Sequence, residues 1–280
     1  MLAYRHLFHA GNFADVFKHA LLTRLLIALG RKEKPFCYVE SHAGIGLYDL
    51  SHPWAQKLGE YRAGIERLWE RDDIPALLQP YLAAVRAENT HRRLRWYPGS
   101  PRIARGLLRS GDRAELVELN RDDANALGRL FDGDRQVHVH LMDGYQALKA
   151  LLPPKERRGL VLVDSSFDRA HEFARLADAL SLAHRRWSSG IYALWYPLMD
   201  ASTMRAFERD VRARGIRKIL RLELSVLPEG WNDSLRGCGM LVVNPPYGFE
   251  EEAGALLPWL WGALSEARTG GYDVRWLVPE

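Results

Sequence analysis

The chain has 280 residues, with 39 lysines and arginines against 35 aspartates and glutamates, which gives a formal net charge of +4. Hydrophobic residues make up 47% and charged residues 26%, and these values exclude a disordered or collagen-like chain. The sequence contains no run of about 18 apolar residues, so we expect no membrane span. It has only two cysteines, so we expect no disulfide framework and a cytoplasmic location.

Five apolar, β-rich runs alternate with amphipathic segments, a pattern typical of a parallel, doubly wound sheet. The apolar runs predict strands over residues 36–40, 114–119, 137–141, 160–164 and 191–196. The amphipathic segments predict helices over residues 122–131, 145–152 and 170–187, and over about 13–29 before the first strand. We therefore expect an α/β protein with a Rossmann-like sheet.

Near its end the chain changes this pattern. Residues 218–226 and 240–244 predict two strands, joined by a segment that is rich in proline and glycine and too short for a crossover helix. Strands joined in this way pair antiparallel, which brings the predicted sheet to seven strands, most of them parallel. The last apolar run, residues 274–278, is a candidate for one further strand.

One interval is too long for the alternating pattern. More than 70 residues separate the first predicted strand from the second, whereas a single crossover helix needs far fewer. The excess, residues 50–97, has a largely helical pattern. We predict that it is a helical subdomain inserted into a sheet domain made of residues 1–49 and 98–280.

Residues suited to binding a nucleoside follow three predicted strands. The first strand runs into the glycine turn His42-Ala43-Gly44-Ile45-Gly46, where the backbone can approach a ligand closely. Glu118 ends the second strand and can accept from both ribose hydroxyls, and Asp143 follows the third and can accept from an adenine amine. A lone acid in such a position is more often a helix N-cap. Three such ends together predict a nucleoside site, and the absence of a third glycine favours adenosylmethionine over a nicotinamide cofactor.

The fourth predicted strand ends at Asp164, which is followed by Ser165, Ser166 and Phe167. Beside a methyl donor, an acid and an aromatic ring suit transfer to an exocyclic amine, because the acid orients the amine and the ring stacks on the base. A helix cap is the alternative role for Asp164. The segment Asn244-Pro245-Pro246-Tyr247 looks more like the signature of base-amino methyltransferases. It follows the seventh strand, away from the cofactor edge, so we interpret it as a structural turn.

Over essentially its full length, the sequence resembles the RlmJ family of 23S ribosomal RNA adenine-N6 methyltransferases. The N-terminal block and the segment Tyr97-Pro98-Gly99-Ser100-Pro101 are the most specific parts of the match. The matching segments are residues 4–6, 8–12, 14–15, 18–19, 42–44 with 46, 97–101, 192–197 and 276–280.

The resemblance implies a class I methyltransferase fold with S-adenosylmethionine as cofactor and 23S rRNA as substrate. It implies that the cofactor is contacted by His19, His42, Ser100, Glu118, Asp143, Gly144 and Asp164. Within an N-terminal motif of residues 1–30, it implies that the RNA substrate meets Tyr4, with His6 and Lys18 close by. We expect Asp164 to be catalytic and Phe167 to stack on the adenine. We also expect a monomer that acts on free or early-assembly RNA. We expect no metal, since the ten histidines lack ligand spacing beside cysteines or acids.

The chain departs from the family at the centre of the catalytic motif. The family usually has Asp-Pro-Pro followed by an aromatic residue, where this chain has Asp164-Ser165-Ser166-Phe167. Ser165 keeps the carbonyl that would accept the second amine hydrogen but lacks the fixed φ angle of proline, so we predict a working but slower enzyme. Two alternatives stay open: a DNA adenine methyltransferase, and a nucleic-acid-binding protein with weakened catalysis.

Overall fold

The computed structural model describes residues 5–90, 93–168, 171–231 and 234–280. The strands in these residues are β1 (Cys37–Glu40), β2 (Leu47–Asp49), β3 (Trp96–Pro98), β4 (Arg113–Glu118), β5 (Val137–Leu141), β6 (Gly159–Val163), β7 (Ile191–Pro197), β8 (Ile219–Ser225), β9 (Gly237–Val243) and β10 (Gly271–Val278). The α-helices are α1 (Phe13–Gly30), α2 (Pro53–Leu58), α3 (Glu66–Trp69), α4 (Gln79–Ala87), α5 (Ser100–Leu107), α6 (Arg121–Leu130), α7 (Gly144–Leu151), α8 (Glu172–Arg186), α9 (Ala201–Ala213) and α10 (Phe249–Leu264).

Eight strands form one mixed sheet in the order β10-β8-β9-β7-β6-β1-β4-β5. Each strand in the run β7-β6-β1-β4-β5 is parallel to its neighbours in that run. Strand β9 is antiparallel to β7 and β8, and β10 is antiparallel to β8. Strands β1, β6 and β9 are buried along their whole length. Their apolar residues are divided between two hydrophobic cores, one on each face of the sheet, which explains why their sequences are almost continuously apolar.

This architecture confirms the predicted α/β fold and the antiparallel pairing of the strands near residues 218–226 and 240–244. The predicted number of seven strands is wrong, because the sheet has eight strands within the described residues. The additional strand is β10, which contains the apolar run at 274–278 and extends back to Gly271. It is an edge strand whose residues are mostly half-exposed or exposed, so its hydrophobic pattern is weak. The short antiparallel pair of β2 and β3 was not predicted, because three residues are too few to show a period.

Helix α1 lies inside the larger of the two cores. It begins after Asn12, whose side-chain oxygen accepts a hydrogen bond from the backbone N–H of Asp15 at 2.9 Å. Most of its residues are buried, including the polar side chains of Asp15, Lys18 and His19. A helix that is buried on nearly all sides shows little amphipathic pattern, and its few polar residues need partners inside the protein.

Helices α2, α3 and α4 occupy the region in which the sequence predicts a helical insertion. Their apolar residues, such as Leu68 and Tyr81, belong to the same hydrophobic core as α1. The region also touches the N-terminal motif directly, since the backbone N–H of Ile65 donates to the carbonyl of Gly11 at 2.8 Å. A Cβ atom at Gly64 would lie 2.0 Å from that carbonyl oxygen, so this close contact requires glycine. Within the described ranges, no helix has the length and apolar character needed to cross a membrane.

Candidate active site

A cleft of about 680 Å³ opens at the carboxyl ends of the parallel strands. Strands β4 and β5 lie on one side of β1, and β6 and β7 lie on the other, so the strand order reverses next to β1. Ligands of open α/β sheets bind at such a reversal, because the loops that follow the two neighbouring strands diverge there. The cleft is lined by His6, Lys18, His19, His42, Ser100, Glu118, Asp143, Gly144, Asp164 and Phe167. The structure thus brings together every predicted site residue except Tyr4, which lies outside the described residues.

The turn after β1 is held against the end of β4 by Glu118. Its carboxylate accepts hydrogen bonds from the backbone N–H groups of Gly44 at 2.9 Å and Asn120 at 2.7 Å. Burial raises the pKa of Glu118. Gly44 has a φ of +60°, and a Cβ atom there would lie 2.4 Å from the hydroxyl of Tyr48. The turn therefore needs glycine, and Glu118 retains lone pairs that can accept ligand hydroxyls.

Asp143 caps helix α7 as well as lining the cleft. Its Oδ1 accepts from the backbone N–H groups of Tyr145 at 3.0 Å and Gln146 at 3.1 Å. Asp143 therefore is a helix N-cap, the common role of an acid at the end of a strand. Its other oxygen, Oδ2, lies 3.9 Å from the guanidinium of Arg175. A Cβ atom at Gly144 would lie 2.0 Å from the carbonyl oxygen of Ser41, so the first turn of α7 packs directly against the loop after β1.

Two histidines, the buried His19 and the half-buried His42, face the cleft. His42 Nδ1 lies 2.8 Å from the hydroxyl of Ser41, and His19 Nδ1 lies 2.7 Å from the hydroxyl of Tyr97. Burial lowers the pKa of both histidines, which favours the neutral imidazole. The other ring nitrogen of His19, Nε2, is buried and has no hydrogen-bond partner among the described residues. A buried polar atom of this kind, in a cleft, points to a ligand that completes its hydrogen bonding.

Ser100 is connected to the end of β1 by a buried acid. Its hydroxyl donates to Glu40, which also accepts from the hydroxyl of Tyr38 at 2.8 Å. Burial raises the pKa of Glu40 to about 8, so this carboxyl is largely protonated at neutral pH. Glu40 therefore fixes the side chain of Ser100 at the edge of the cleft without adding a full negative charge there.

A network of four charged or titratable side chains lies on the other side of the cleft. Lys18 Nζ donates to Asp15 Oδ1 at 2.8 Å and to Asp164 Oδ2 at 2.6 Å, and His6 Nε2 lies 2.9 Å from Asp15 Oδ2. Burial opposes the ionisation of Asp15, yet His6 and Lys18 hold its pKa well below the usual range. Burial also opposes the charge of Lys18, yet the two carboxylates hold its pKa well above the usual range. Asp164 is therefore fixed by a protonated lysine that a second acid holds in position.

Phe167 has a strained backbone at the end of this motif. Its φ is +51°, in the left-handed region that bulky side chains rarely adopt. The ring packs edge-on against Phe173, with centroids 4.8 Å apart, and against Trp195, with centroids 6.0 Å apart. Such strain persists where the surrounding structure imposes it, and it is frequent at sites that bind substrates.

The competing motif lies at the opposite edge of the sheet. Asn244 follows β9, and the register of β9 with β7 pairs Val243 with Tyr192, near the start of β7. The side chain of Asn244 donates to the carbonyls of Ser188 at 2.9 Å and Gly190 at 2.8 Å. These contacts are those of a structural turn, as we interpreted the segment.

Two groups of the site, Asp15 and Leu119, had no role predicted from the sequence. Asp15, Lys18 and His19 are spaced i, i+3 and i+4 in an otherwise apolar helix, which could have identified Asp15 as their partner. Leu119 is 39% exposed and lines the cleft beside Glu118, but a leucine at the end of a strand carries no such signal. In the part of the chain that the structure describes, no group of three or more histidine, cysteine or acidic side chains could hold a metal ion.

The N-terminal motif is tied to the segment after α2 by a titratable contact. His9 Nδ1 lies 3.0 Å from both carboxylate oxygens of Glu60, and the Asn12 side chain donates to Glu60 at 3.0 Å. The hydrogen bond to Glu60 raises the pKa of His9 above 6.5. The contact thus stabilises the fold while Glu60 is ionised and His9 is protonated, and this contribution is lost as the pH rises from 6.5 through the folded-state pKa of His9.

Replacing Glu60 by glutamine is expected to lower the pKa of His9, because the acceptor loses its charge. An NMR titration of the His9 imidazole in the wild-type protein and in Glu60→Gln measures the change. Asp73→Asn, which alters an exposed acid paired with Arg71, is the matched control and should leave the His9 titration unchanged. Identical His9 titrations in Glu60→Gln and the wild-type protein would contradict the assigned contact.

Comparison with known proteins identifies the family. A family model described as "Ribosomal RNA large subunit methyltransferase D, RlmJ" matches residues 33–278. Two proteins named ribosomal RNA large subunit methyltransferase J align with 100% of this chain over 100% of their own length. The one from Escherichia coli strain K12 is 44% identical over 280 residues, and the one from Haemophilus influenzae is 42% identical over 281 residues.

The fold of a solved structure agrees with this relationship. A protein of Legionella pneumophila, known from its crystal structure, is 38% identical and superposes with a TM-score of 0.87. The superposition covers 95% of this chain and 97% of that one. The chain therefore belongs to the RlmJ family of ribosomal RNA large subunit methyltransferases.

Proposed function

We propose that this chain transfers a methyl group from S-adenosylmethionine to the N6 amine of an adenine in 23S rRNA. The observation that carries the proposal is the contact between Lys18 and Asp164 in the cleft. Lys18 donates to Oδ2 of the carboxylate, and the Asp164 side chain, which lines the cleft, stays 17% exposed. We assign Oδ1 as the acceptor of one hydrogen of the target amine.

The other half of the cleft fits S-adenosylmethionine. His19 Nε2, which makes no hydrogen bond to any described residue, offers a polar contact, and Glu118 offers lone pairs suited to two ribose hydroxyls. Asp143 offers Oδ2 to the amino group of an adenine, while its Oδ1 remains bonded to α7. Gly44 and Gly144 line the same half of the cleft. Bound there, the cofactor supplies an electrophilic methyl group.

The residues of this chain have to orient the amine rather than deprotonate it. Asp164 accepts an N6 hydrogen and so directs the nitrogen lone pair at the methyl carbon, and Phe167 stacks on the adenine ring. Lys18 donates to Oδ2 of Asp164 and so fixes the plane of the carboxylate. Transfer would form the nitrogen–methyl bond as the methyl–sulfur bond of the cofactor breaks and leaves a neutral thioether, and the amine would then release a proton to water, so no strong base is required.

The RNA has to present its adenine outside a base stack. An adenine inside a helix cannot reach Asp164, so it must be extruded or already unpaired, and this favours free or early-assembly 23S rRNA as the substrate.

We also propose that the protein acts as a monomer in the cytoplasm. We divide it into a methyltransferase domain of residues 1–49 and 98–280 and a helical subdomain of residues 50–97. Helices of residues 50–97 share one hydrophobic core with α1, so we expect the subdomain and the methyltransferase domain to fold as one unit.

Transfer of a labelled methyl group tests the function directly. Wild-type protein is incubated with labelled S-adenosylmethionine and either a 23S rRNA transcript or duplex DNA, with Asp164→Ala as the matched inactive control. The expected result is label at N6 of one adenine in the RNA. Transfer only to DNA would identify a DNA adenine methyltransferase. RNA binding without either transfer would identify a nucleic-acid-binding protein with weakened catalysis.

Restoring the prolines of the family motif is expected to raise the rate of transfer. Ser165→Pro with Ser166→Pro fixes the φ angles beside Asp164, which orders the carbonyl that accepts the second amine hydrogen. We expect kcat to rise by about threefold to tenfold, or 0.6–1.4 kcal/mol of transition-state stabilisation. Single-turnover transfer to the RNA transcript measures it. An unchanged rate in a folded double variant that binds the cofactor normally would show that the serines do not limit the enzyme.

A further inference from the structure

Exposed apolar side chains of helix α2 extend the cleft on the side of the N-terminal motif. Trp54 is 43% exposed and Leu58 is 51% exposed, and a spacing of four residues puts them on the same side of the helix. Leu58 itself lines the cleft, as does Glu60 two residues later. The exposed surface of α2 is therefore continuous with the cleft that holds the site assigned to the target adenine.

Trp54 is held by an aromatic side chain of the N-terminal motif. Its ring stacks on Phe8 with centroids 5.2 Å apart and an interplanar angle of 10°, and His52 packs edge-on against it at 5.5 Å. Phe8 lies between His6 and His9, both of which line the cleft. Two chain segments that border the cleft thus support one flat, partly exposed ring. A ring held in this way loses little conformational freedom when a planar ligand stacks on it.

We propose that Trp54, supported by Phe8 and Leu58, forms a stacking surface for an unpaired base next to the target adenine. This proposal rests on the proposed function, because extrusion of the adenine leaves a neighbouring base without a stacking partner. Aromatic side chains bind single-stranded bases by stacking, with little dependence on sequence. Exposed Lys57 and Arg62, from the same segment, supply the positive charge that the connecting phosphates require.

The chemistry of this surface favours a nucleobase over an apolar protein partner. The apolar area is small and divided between a few side chains, whereas protein interfaces are built around larger patches. It also adjoins the cleft in which the target base is proposed to sit, and the same segment carries the exposed cations Lys57 and Arg62. A short single-stranded stretch of RNA satisfies all three features.

Truncation of the ring tests the surface. In steady-state transfer to a 23S rRNA fragment containing the target adenine, Trp54→Ala is expected to raise KM about tenfold with little change in kcat. This value corresponds to the loss of one base–aromatic stack. Trp54→Phe keeps a flat ring and should restore most of the affinity. Tyr247→Ala removes an aromatic side chain that is 99% exposed at the opposite edge of the sheet, so it is the matched control and should behave as wild type.

A second measurement separates stacking from a merely structural role of Trp54. RNA fragments with an abasic nucleotide on the 5′ or the 3′ side of the target are compared in wild type and Trp54→Ala. If Trp54 stacks on a neighbouring base, one abasic position should weaken binding to the wild type but have little further effect on the variant. The proposal would be overturned if each abasic nucleotide weakened binding to Trp54→Ala as much as it weakened binding to wild type. An unchanged KM in Trp54→Ala would also overturn it.

The two levels of inference fail in different ways. Wild-type transfer to the fragment, lost in Asp164→Ala, supports the proposed function whatever Trp54 does. If wild type methylates the fragment and Trp54→Ala does so with the same KM and kcat, only the proposed stacking surface is overturned. Absence of transfer to any RNA by wild type overturns the proposed function. Calorimetric binding of S-adenosylmethionine to each variant shows that its fold and cofactor site are intact.

Discussion

Replacing Asp164 by alanine is expected to lower the rate of methyl transfer to RNA by about a thousandfold. The change removes a charged acceptor for the target amine, worth about 1.5–3 kcal/mol, together with the orientation that this hydrogen bond imposes on the nitrogen lone pair. It also leaves Lys18 with one carboxylate partner instead of two. Single-turnover transfer with saturating cofactor measures the effect on the chemical step.

Asn244→Ala is the control that separates the two motifs. Asn244 bonds the carbonyls of Ser188 and Gly190 at the opposite edge of the sheet, so its loss should reduce stability slightly and leave the transfer rate within about twofold. Asp164→Asn adds a second comparison, because it keeps the shape of the side chain and removes its charge. A variant of Asp164 with full activity, together with an inactive Asn244→Ala, would reverse the assignment of the catalytic motif.

Replacing Asp15 by asparagine is expected to reduce both stability and activity. Removing one partner from a buried ion pair typically costs about 3–5 kcal/mol, and we expect a loss near the lower value because Lys18 keeps its contact with Asp164. Transfer should slow by about a hundredfold, because Lys18 and His6 lose the acid that positions them. Denaturant unfolding and single-turnover kinetics measure the two effects.

The dependence of this loss on pH provides a second test. The pKa of Asp15 is depressed in the folded protein, so its stabilising contribution is present above the unfolded value of 3.8 and is lost as the pH falls through the folded value. The difference in unfolding free energy between wild type and Asp15→Asn should therefore be nearly constant from pH 5 to 9. It should shrink below about pH 4.

Asp178→Asn is the matched control for the same experiment. Asp178 is also paired with a cation, Arg214, but it is 69% exposed, and exposed ion pairs contribute little to stability. We expect its unfolding free energy to stay within about 0.5 kcal/mol of wild type at every pH. If both variants lost the same stability, the buried network would have no special role in the fold.

The sheet and its ligand edge could be predicted because their signals are local. Strands β1, β4 and β6 are short apolar runs, and each is followed directly by residues that line the cleft. The edge strand β10 and the pair of β2 and β3 gave weaker signals, since one is largely exposed and the others have three residues each.

The polar network could be predicted only in part. His6, Lys18 and Asp164 were expected from the resemblance to a family, but their connection through Asp15 depends on the packing of α1 against the end of β6. The contact of His9 with Glu60 joins residues 51 positions apart, and no local pattern indicates such a pair. Long-range contacts of this kind follow from how the elements pack, which the periodicity of one segment does not specify.

The burial of α1 has a consequence for how the enzyme is inactivated. The helix carries Asp15, Lys18 and His19 from the middle of the larger core, so these groups cannot move apart unless that core opens. We infer that amide hydrogens of α1 exchange with solvent only through global unfolding, among the slowest in the protein. Heat or denaturant should then abolish methyl transfer in the same cooperative step that melts the fold, without a preceding folded but inactive state.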